Sequence, residues 1–436
     1  MTDLLAARSQ MAISLAFHIV FAVAGIAMPL MMVIAEIRWF RTGDAVLMAL
    51  TRSWAKGTAI LFAVGAVSGT VLSFELGLLW PEFMRWAGPI IGMPFSLEGF
   101  AFFTEAIFLG IYLYGWDRIS ARAHIAAGMI VAISGAASAL FVVTANAWMN
   151  TPTGFRLVAT VPREVDPIAA MLNPSALPQV VHMLLAAYGA VGFAVAGIHA
   201  YLLLRDRTNV FHQHALSIAL VLGGIGAVLQ PVSGDFIARA VAANQPIKLA
   251  AFEGNFETQR AAPLRIGGFP DKETRQTRHS IEIPYGLSLL AFHDPNAVVA
   301  GLNDFDPDLW PPVAVVHVAF QVMVAAGFAM MAIAAWGAYL WCRSRATSSP
   351  AFLKTLVVAS PFGLVAIESG WVVTEVGRQP WIIQGVMKTA DTVTPMPGLL
   401  FPFIVFTTIY IFLAAIVSVL LVRQFRSSPR FTTRAA

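Results

Sequence analysis

The chain is short of charge: Asp, Glu, Lys and Arg make up 12% of its 436 residues, while 58% are hydrophobic. About a quarter of a soluble domain is charged, so this chain has too little polar surface to be covered by water. Cysteine is nearly absent. The single Cys342 excludes an internal disulfide, and the lack of any C-x-x-C-H string excludes covalently attached c-type haem. A signal-peptide pattern is missing too. The first apolar stretch, from about Met11, is too long for a signal core and is closed by Glu36 and Arg38, with no small-residue cleavage site. It reads as a retained first helix. No internal repeat and no convincing pair of interrupted helices occurs, which argues against an inverted-repeat transporter.

What is present is a series of apolar blocks long enough to span roughly 30 Å of hydrocarbon. They run at 11–35, 57–80, 95–115, 124–149, 179–204, 215–238, 313–341, 352–374 and 398–422. Backbone groups in lipid must be satisfied internally, so the blocks are helices. The expected fold is an all-α integral membrane bundle of about nine spans. Chain length alone would suggest two or three domains, but in a bundle lipid covers the outer faces. Residues 1–238 hold spans one to six, 239–311 a long polar loop, and 312–436 spans seven to nine with a tail. A loop of roughly 70 residues between spans tends to be functional.

The net charge of +4 would point to nucleic acid in a soluble protein. Here the basic residues sit in short loops, so they report topology and no nucleic-acid partner is expected. One side carries Arg38, Arg41, Arg52, Lys56, Arg118, Arg122, Arg205, Arg207, Arg343, Arg345, Lys354, Arg423, Arg426, Arg430 and Arg434. The other carries Arg8, Arg85, Arg156, Arg163, Arg378 and Lys388 outside the long loop. The positive-inside rule therefore puts the N-terminus and the long loop outside, and the C-terminus in the cytoplasm. The seven basic residues of the long loop do not change this, because long loops translocate largely regardless of charge.

Ionisable residues inside spans usually face a cofactor, a water path or a partner. His18 lies in the first span, His182 in the fifth and Met323 in the seventh. Each has a bland reading, a hydrogen-bonded helix-interface histidine or a packed core methionine. Imidazole, thioether and carboxylate can also coordinate haem iron. Glu98 and Glu105 are two turns apart on the third span and share a face. They read as a proton relay or as two structural carboxylates. Glu75, nearer a helix end, reads as structural. Glu368, Trp371 and Glu375 share a face of the eighth span, and Arg378, Gln379 and Trp381 follow. Acid, cation and indole at a membrane edge can hold a propionate-bearing macrocycle or form an interfacial anchor. Loop and helix-end positions explain most of the remaining histidines. His199 and His317, within spans, stay open as ligand candidates.

Taken with their neighbours, these residues form recognisable strings: RSQMAISLAFH, SLEGFAFFTEAIFLGIYLYGWDR, TANAWM, KLAAFEGNFETQ, IPYGLS and GWVVTEVGRQPW. The chain resembles subunit I of the cytochrome bd-type quinol oxidases along nearly its whole length, and the last string is the most specific. The resemblance implies a haem-containing enzyme of the bacterial cytoplasmic membrane with three haem groups near the outer face. His182 and Met323 match the axial pair of a low-spin haem b. His18 and Glu375 match the ligands of two high-spin haems, one of which binds O2. Trp371 matches the aromatic between haems, with Arg378 close by. Glu98 matches a carboxylate beside the oxygen site. Glu105 matches a proton-path carboxylate, with Ser138 as hydroxyl partner. Lys248 and Glu253 match the quinol-site pair, expected in a water-exposed loop away from the iron.

The resemblance further implies ubiquinol as substrate, an oxidase subunit II and a small accessory membrane subunit. Two departures stand out. Gln321 occupies a position where the better-known branch has Arg, and the outer loop is short. Both features look like the cyanide-insensitive branch, in which haem b can replace the chlorin haem d. Two or three haem b groups are expected, with haem d open at the oxygen site.

The expected reaction is quinol oxidation outside and reduction of O2 to water with cytoplasmic protons. Charge then separates without a pump. Two other classes compete. A dihaem quinone-linked cytochrome without oxygen reduction would need two bis-ligated haems, and only one His/Met pair is found. A proton-coupled transporter would use the span carboxylates and hold no haem.

Overall fold

The computed structural model describes residues 1–426, 429 and 431. Arg430 and Arg434, counted above for orientation, lie outside the described residues.

Among the described residues nine helical spans are long and apolar enough to cross a bilayer. In chain order the helices are α1 (Asp3–Thr42), α2 (Ala45–Leu79), α3 (Pro81–Tyr114), α4 (Ala121–Asn150), the short α5 (Pro167–Met171), α6 (Ala176–Arg205) and α7 (Val210–Asn244). There follow α8 (Pro246–Glu253) and α9 (Gly286–Phe292), then α10 (Val313–Cys342), α11 (Pro350–Ala359), α12 (Phe362–Glu375) and α13 (Leu400–Arg426). The eighth span is built from two pieces, α11 and α12, separated at Ser360–Pro361. Proline lacks the N–H that would continue the first piece.

The helices outrun the apolar blocks. The first has 40 residues, about 60 Å at 1.5 Å per residue, twice the hydrocarbon thickness. Its ends carry polar residues that hydropathy leaves out. Thr2 caps its first turn by accepting from the Leu5 N–H, and Gly43, at φ 71°, ends it in the left-handed region. Similarly, α7 continues to Asn244, beyond the apolar boundary at 238, and stops before Pro246.

Packing depends on small residues. A Cβ on Gly192 of α6 would lie 2.4 Å from the Gly223 Cα of α7, and one on Gly226 would lie 2.8 Å from the Gly189 nitrogen. Only glycine permits that backbone approach. It brings the two helices that carry His182 and Ser233 together. The long loop is not only polar. It contains α8, α9 and short antiparallel pairs such as Leu264–Ile266 with Ile281–Ile283. Leu249, Phe252, Leu287 and Val299 join Val241 and Val316 in a core of their own over the ends of α7 and α10. The loop therefore sits on the bundle at the end where α1, α6 and α10 begin and α4, α7 and α12 finish.

Candidate functional site

Two histidines share one arrangement. His18 Nδ1 is 3.0 Å from Ser68 Oγ of α2, and that hydroxyl donates to the Val64 carbonyl at 2.9 Å. The serine proton is thus committed to its own helix, so Nδ1–H donates to the oxygen and Nε2 keeps its lone pair. His182 repeats this with Ser233 of α7 at 2.9 Å, whose hydroxyl donates to the Gln230 carbonyl at 2.9 Å. Both rings have Nε2 as the basic nitrogen, the state a metal ligand needs. The Gln230 amide approaches His182 Nε2 at 3.0 Å, while its Oε1 is buried without a partner among the described residues. The His18 ring lies on Gly69, where a Cβ would come within 2.9 Å of Cε1. Neither serine partner was visible in the sequence, because they lie 50 and 51 residues away.

Met323 on α10 meets α12 at Gly370: a Cβ there would be 3.1 Å from the thioether sulfur. The next residue, Trp371, packs against the main core, yet its indole Nε1 is buried and unpaired among the described residues. Glu368 Oε1 is likewise orphaned. Two turns on from Glu368, Glu375 accepts from Asn146 of α4 through one oxygen and from Arg378 through the other. Arg378 is 2% exposed, and its Nε and Nη1 have no partner among the described residues. Buried donors without acceptors are rare in proteins.

Lys248 and Glu253 overturn one expectation. They are not in a water-exposed loop: Lys248 is 5% and Glu253 1% exposed, because α8 packs against α7 and α10, and the Lys248 side chain reaches Asn150 of α4 and Thr374 of α12. Nor is Lys248 remote from the Glu375 carboxylate. Its ammonium group donates to Asn150 Oδ1 and to the Thr374 carbonyl at 3.2 Å, and Asn150 Nδ2 donates to the Asn146 carbonyl at 3.0 Å. Asn146 and Asn150, missed in the sequence, thus join the loop lysine to Glu375 and Arg378. Burial pushes the Lys248 amine well below the usual lysine range, and Arg378 adds to the effect, partly opposed by Glu375. Burial also pushes the Glu253 carboxyl up to about 8, against the pull of Arg265. Both Glu253 carboxyl oxygens are unpaired among the described residues, and so are both side-chain polar atoms of Gln245, which precedes α8. Gln245 is a second residue that sequence reasoning passed over. Gln321 accepts from the Gly267 N–H at 2.9 Å and donates to the Arg265 carbonyl at 3.0 Å, so it pins the loop to α10.

The carboxylates of α3 look different. Glu105 is buried, with its oxygen against Gly25 of α1 and Gly135 of α4: a Cβ on either would lie 3.6 or 3.4 Å away. Glu98 is half-buried. Neither makes a hydrogen bond among the described residues, and Ser138 does not bond Glu105 there. Glu75, by contrast, accepts from Gln10 and Ser14, both at 2.9 Å. His317 has its two ring nitrogens against the Phe252 and Gly267 carbonyls at 2.8 and 3.1 Å. His199 meets His212 and the Trp54 indole, so neither of these open candidates presents a free nitrogen.

These groups fit haem. Among the described residues no three His, Cys, Asp or Glu side chains converge as a protein-only metal site. The available donors are instead single imidazoles, one thioether and one carboxylate, the donor types that could hold the iron of a macrocycle that brings nitrogen ligands of its own. The orphaned Arg378 and Trp371 donors suit acidic substituents on such a ring.

A family profile described as "Cytochrome bd terminal oxidase subunit I" matches residues 6–429. The chain is 38% identical to the "Putative cytochrome bd menaquinol oxidase subunit I" of Bacillus subtilis (strain 168), with 98% of both chains covered. It is 30% identical to the cytochrome bd ubiquinol oxidase subunit 1 of the same organism, covering 98% of this chain and 94% of that one. Among solved structures it is similar to the bd oxidase from Geobacillus thermodenitrificans, at a TM-score of 0.92 and 40% identity, over 98% of this chain and 99% of that one.

Proposed function

The chain belongs to the cytochrome bd terminal oxidase subunit I family, and from that premise we propose how its residues divide the work. It is a multi-pass membrane subunit of a quinol-oxidising terminal oxidase that acts with a subunit II. The family carries haem. His182 and Met323 would hold a low-spin haem b, and His18 and Glu375 would each hold a high-spin haem. Bound haem would supply one-electron transfer and the reduction of O2. Trp371 and Arg378 orient the ring substituents through the donors they leave unpaired.

Quinol is oxidised beside Lys248 and Glu253, on the face read as outer. An amine whose proton affinity burial lowers and a carboxyl that burial pushes up to about 8 are the two groups beside the substrate that can exchange protons with quinol. The observation that carries this reading is the continuous hydrogen-bonded path of side chains from Lys248 through Asn150 and Asn146 to Glu375 and Arg378. It ties the loop to the ligand end of α12. Protons for oxygen reduction come from the opposite, Arg-rich side, which is the cytoplasm by the positive-inside rule. Glu105 receives them and Glu98 hands them on. Charge separation then builds a proton motive force without a pump. Gln321 and the short loop support the cyanide-insensitive branch with haem b in place of haem d. The related subunits are named for both menaquinol and ubiquinol, so the shared quinol head group defines the substrate class. Apolar faces on α3 and α13 suit subunit II and a small accessory subunit.

The test is a purified oxidase in liposomes. Reduced-minus-oxidised spectra and pyridine haemochromes count and type the haems. Quinol-driven oxygen uptake should acidify the loop side and consume protons on the other. A haem-free preparation, or oxygen uptake with no proton asymmetry, would contradict the reading.

A further inference from the structure

The proton route proposed above starts at Glu105, but that carboxyl is buried and lies about 14 Å from the end of α3. Something must load it from the Arg-rich side. Two turns further along the same face of α3 lies Tyr112, which is fully buried. Its hydroxyl donates to Glu36 Oε2 of α1 at 2.7 Å. The other Glu36 oxygen is 2.7 Å from His124 Nδ1 of α4, and His124 Nε2 is 2.8 Å from the Tyr112 carbonyl. All three side chains are at most 3% exposed. Three helices thus meet at one acid, one imidazole and one phenol. They are the same three that enclose Glu105, through Gly25, Gly135 and its own backbone.

Proton counting gives the cluster its meaning. A carbonyl oxygen only accepts, so His124 Nε2 must carry hydrogen. The Nδ1 to Oε1 contact then holds a proton that belongs either to Glu36 or to His124. Without it, a lone pair would face a carboxylate at 2.7 Å. The pair is therefore a site for one exchangeable proton, neutral overall when filled. It is sealed by Trp116, whose ring centroid is 4.1 Å from that of His124. Beyond Trp116 stand Arg52, 5.0 Å from the indole centroid, and the exposed Asp117 paired with it at 3.3 Å. These are the charged groups at the mouth, from α2 and from the turn after α3. The second buried histidine pair, His199 and His212, lies on α6 and α7, outside this seam.

We propose that Glu36, His124 and Tyr112 form the proton-loading site that feeds Glu105 from the Arg-rich side of the membrane. The inference rests on the reading of Glu105 as a relay. A proton entering past Asp117 fills the Glu36–His124 contact. A proton leaves from there, by way of Tyr112 and intervening water, along the α1–α3–α4 seam.

Glu36→Gln is the discriminating variant. The Gln carbonyl accepts from Tyr112 and its amide donates to His124 Nδ1, so every hydrogen bond of the filled state survives while the exchangeable proton is gone. The assembled oxidase should keep its haem spectra and its single-turnover electron input from quinol. Steady-state oxygen uptake should fall about tenfold, with a raised solvent deuterium isotope effect, and Glu36→Asp should restore part of the rate. Wild-type turnover in Glu36→Gln, or a fall with an unchanged isotope effect and loss of haem, would overturn the proposal. If that variant does not assemble, Tyr112→Phe removes one hydroxyl and carries the same two outcomes. A Glu105→Gln control separates the failures. If it is slow and Glu36→Gln is not, the loading site is wrong and the relay stands. If neither is slow, both fall.

Discussion

The two ends of the proposed reaction are built differently. Around α8 and the end of α12, polar groups are linked side chain to side chain: Lys248, Asn150, Asn146, Glu375 and Arg378 form one network, in which Asn150 Nδ2 also reaches Asn146 Oδ1 at 3.3 Å. Along α3, Glu98 and Glu105 make no hydrogen bonds among the described residues, and glycines rather than donors face Glu105. A satisfied network holds groups in place and resists change. A carboxyl without fixed partners can rotate and exchange its proton with water. Ligands and substrate need the first, and a proton carrier needs the second.

The largest effect should come from cutting the network at its centre. Glu375→Ala removes the proposed ligand and leaves the half-buried Asn146 and the buried Arg378 without their acceptor. Loss of one high-spin haem from the difference spectrum and oxygen uptake at background are expected, and a full haem complement would show that Glu375 is only an anchor. Next is Met323→Leu, which keeps volume but has no donor atom. The low-spin signal should vanish or turn high-spin. An unchanged low-spin spectrum would remove Met323 as a ligand.

A smaller, pH-dependent effect belongs to Glu253. Its carboxyl titrates near 8, so it is mostly protonated below that pH and becomes a base above it. Quinol oxidation should therefore rise as pH passes through about 8. Glu253→Gln should flatten the rise while leaving every haem spectrum intact, and a profile identical to wild type would dissociate Glu253 from the quinol step. The smallest change expected is Gln321→Leu, which removes two loop bonds of about 1 kcal/mol each. The KM for quinol should rise by no more than about thirtyfold at unchanged kcat. A changed haem potential instead would give Gln321 an electrostatic role.

Much of this was legible beforehand. Long apolar blocks leave few alternatives in lipid, so the nine spans and the residues that stand out inside them could be read directly. Helix ends could not, since Asp3, Thr42 and Asn244 are polar residues beyond the hydrocarbon. The partners were hidden for another reason. Ser68, Ser233, Asn146 and Asn150 are common residues whose roles come from packing between helices, not from spacing along one. Glu36 was read as the polar close of the first span, and only the approach of α3 and α4 gives it Tyr112 and His124. Burial of Lys248 was missed because polar composition suggested water, whereas the loop builds its own core.

The contrast between a fixed site and a loose relay is tested most directly by Glu105→Gln in the assembled oxidase, comparing steady-state oxygen uptake with single-turnover electron input from quinol. Gln keeps the shape and removes the exchangeable proton. The account predicts a strong fall in steady-state uptake, about tenfold or more, with electron input to the low-spin haem near normal and haem content unchanged. Oxygen uptake at the wild-type rate would contradict it and leave Glu105 a structural carboxylate.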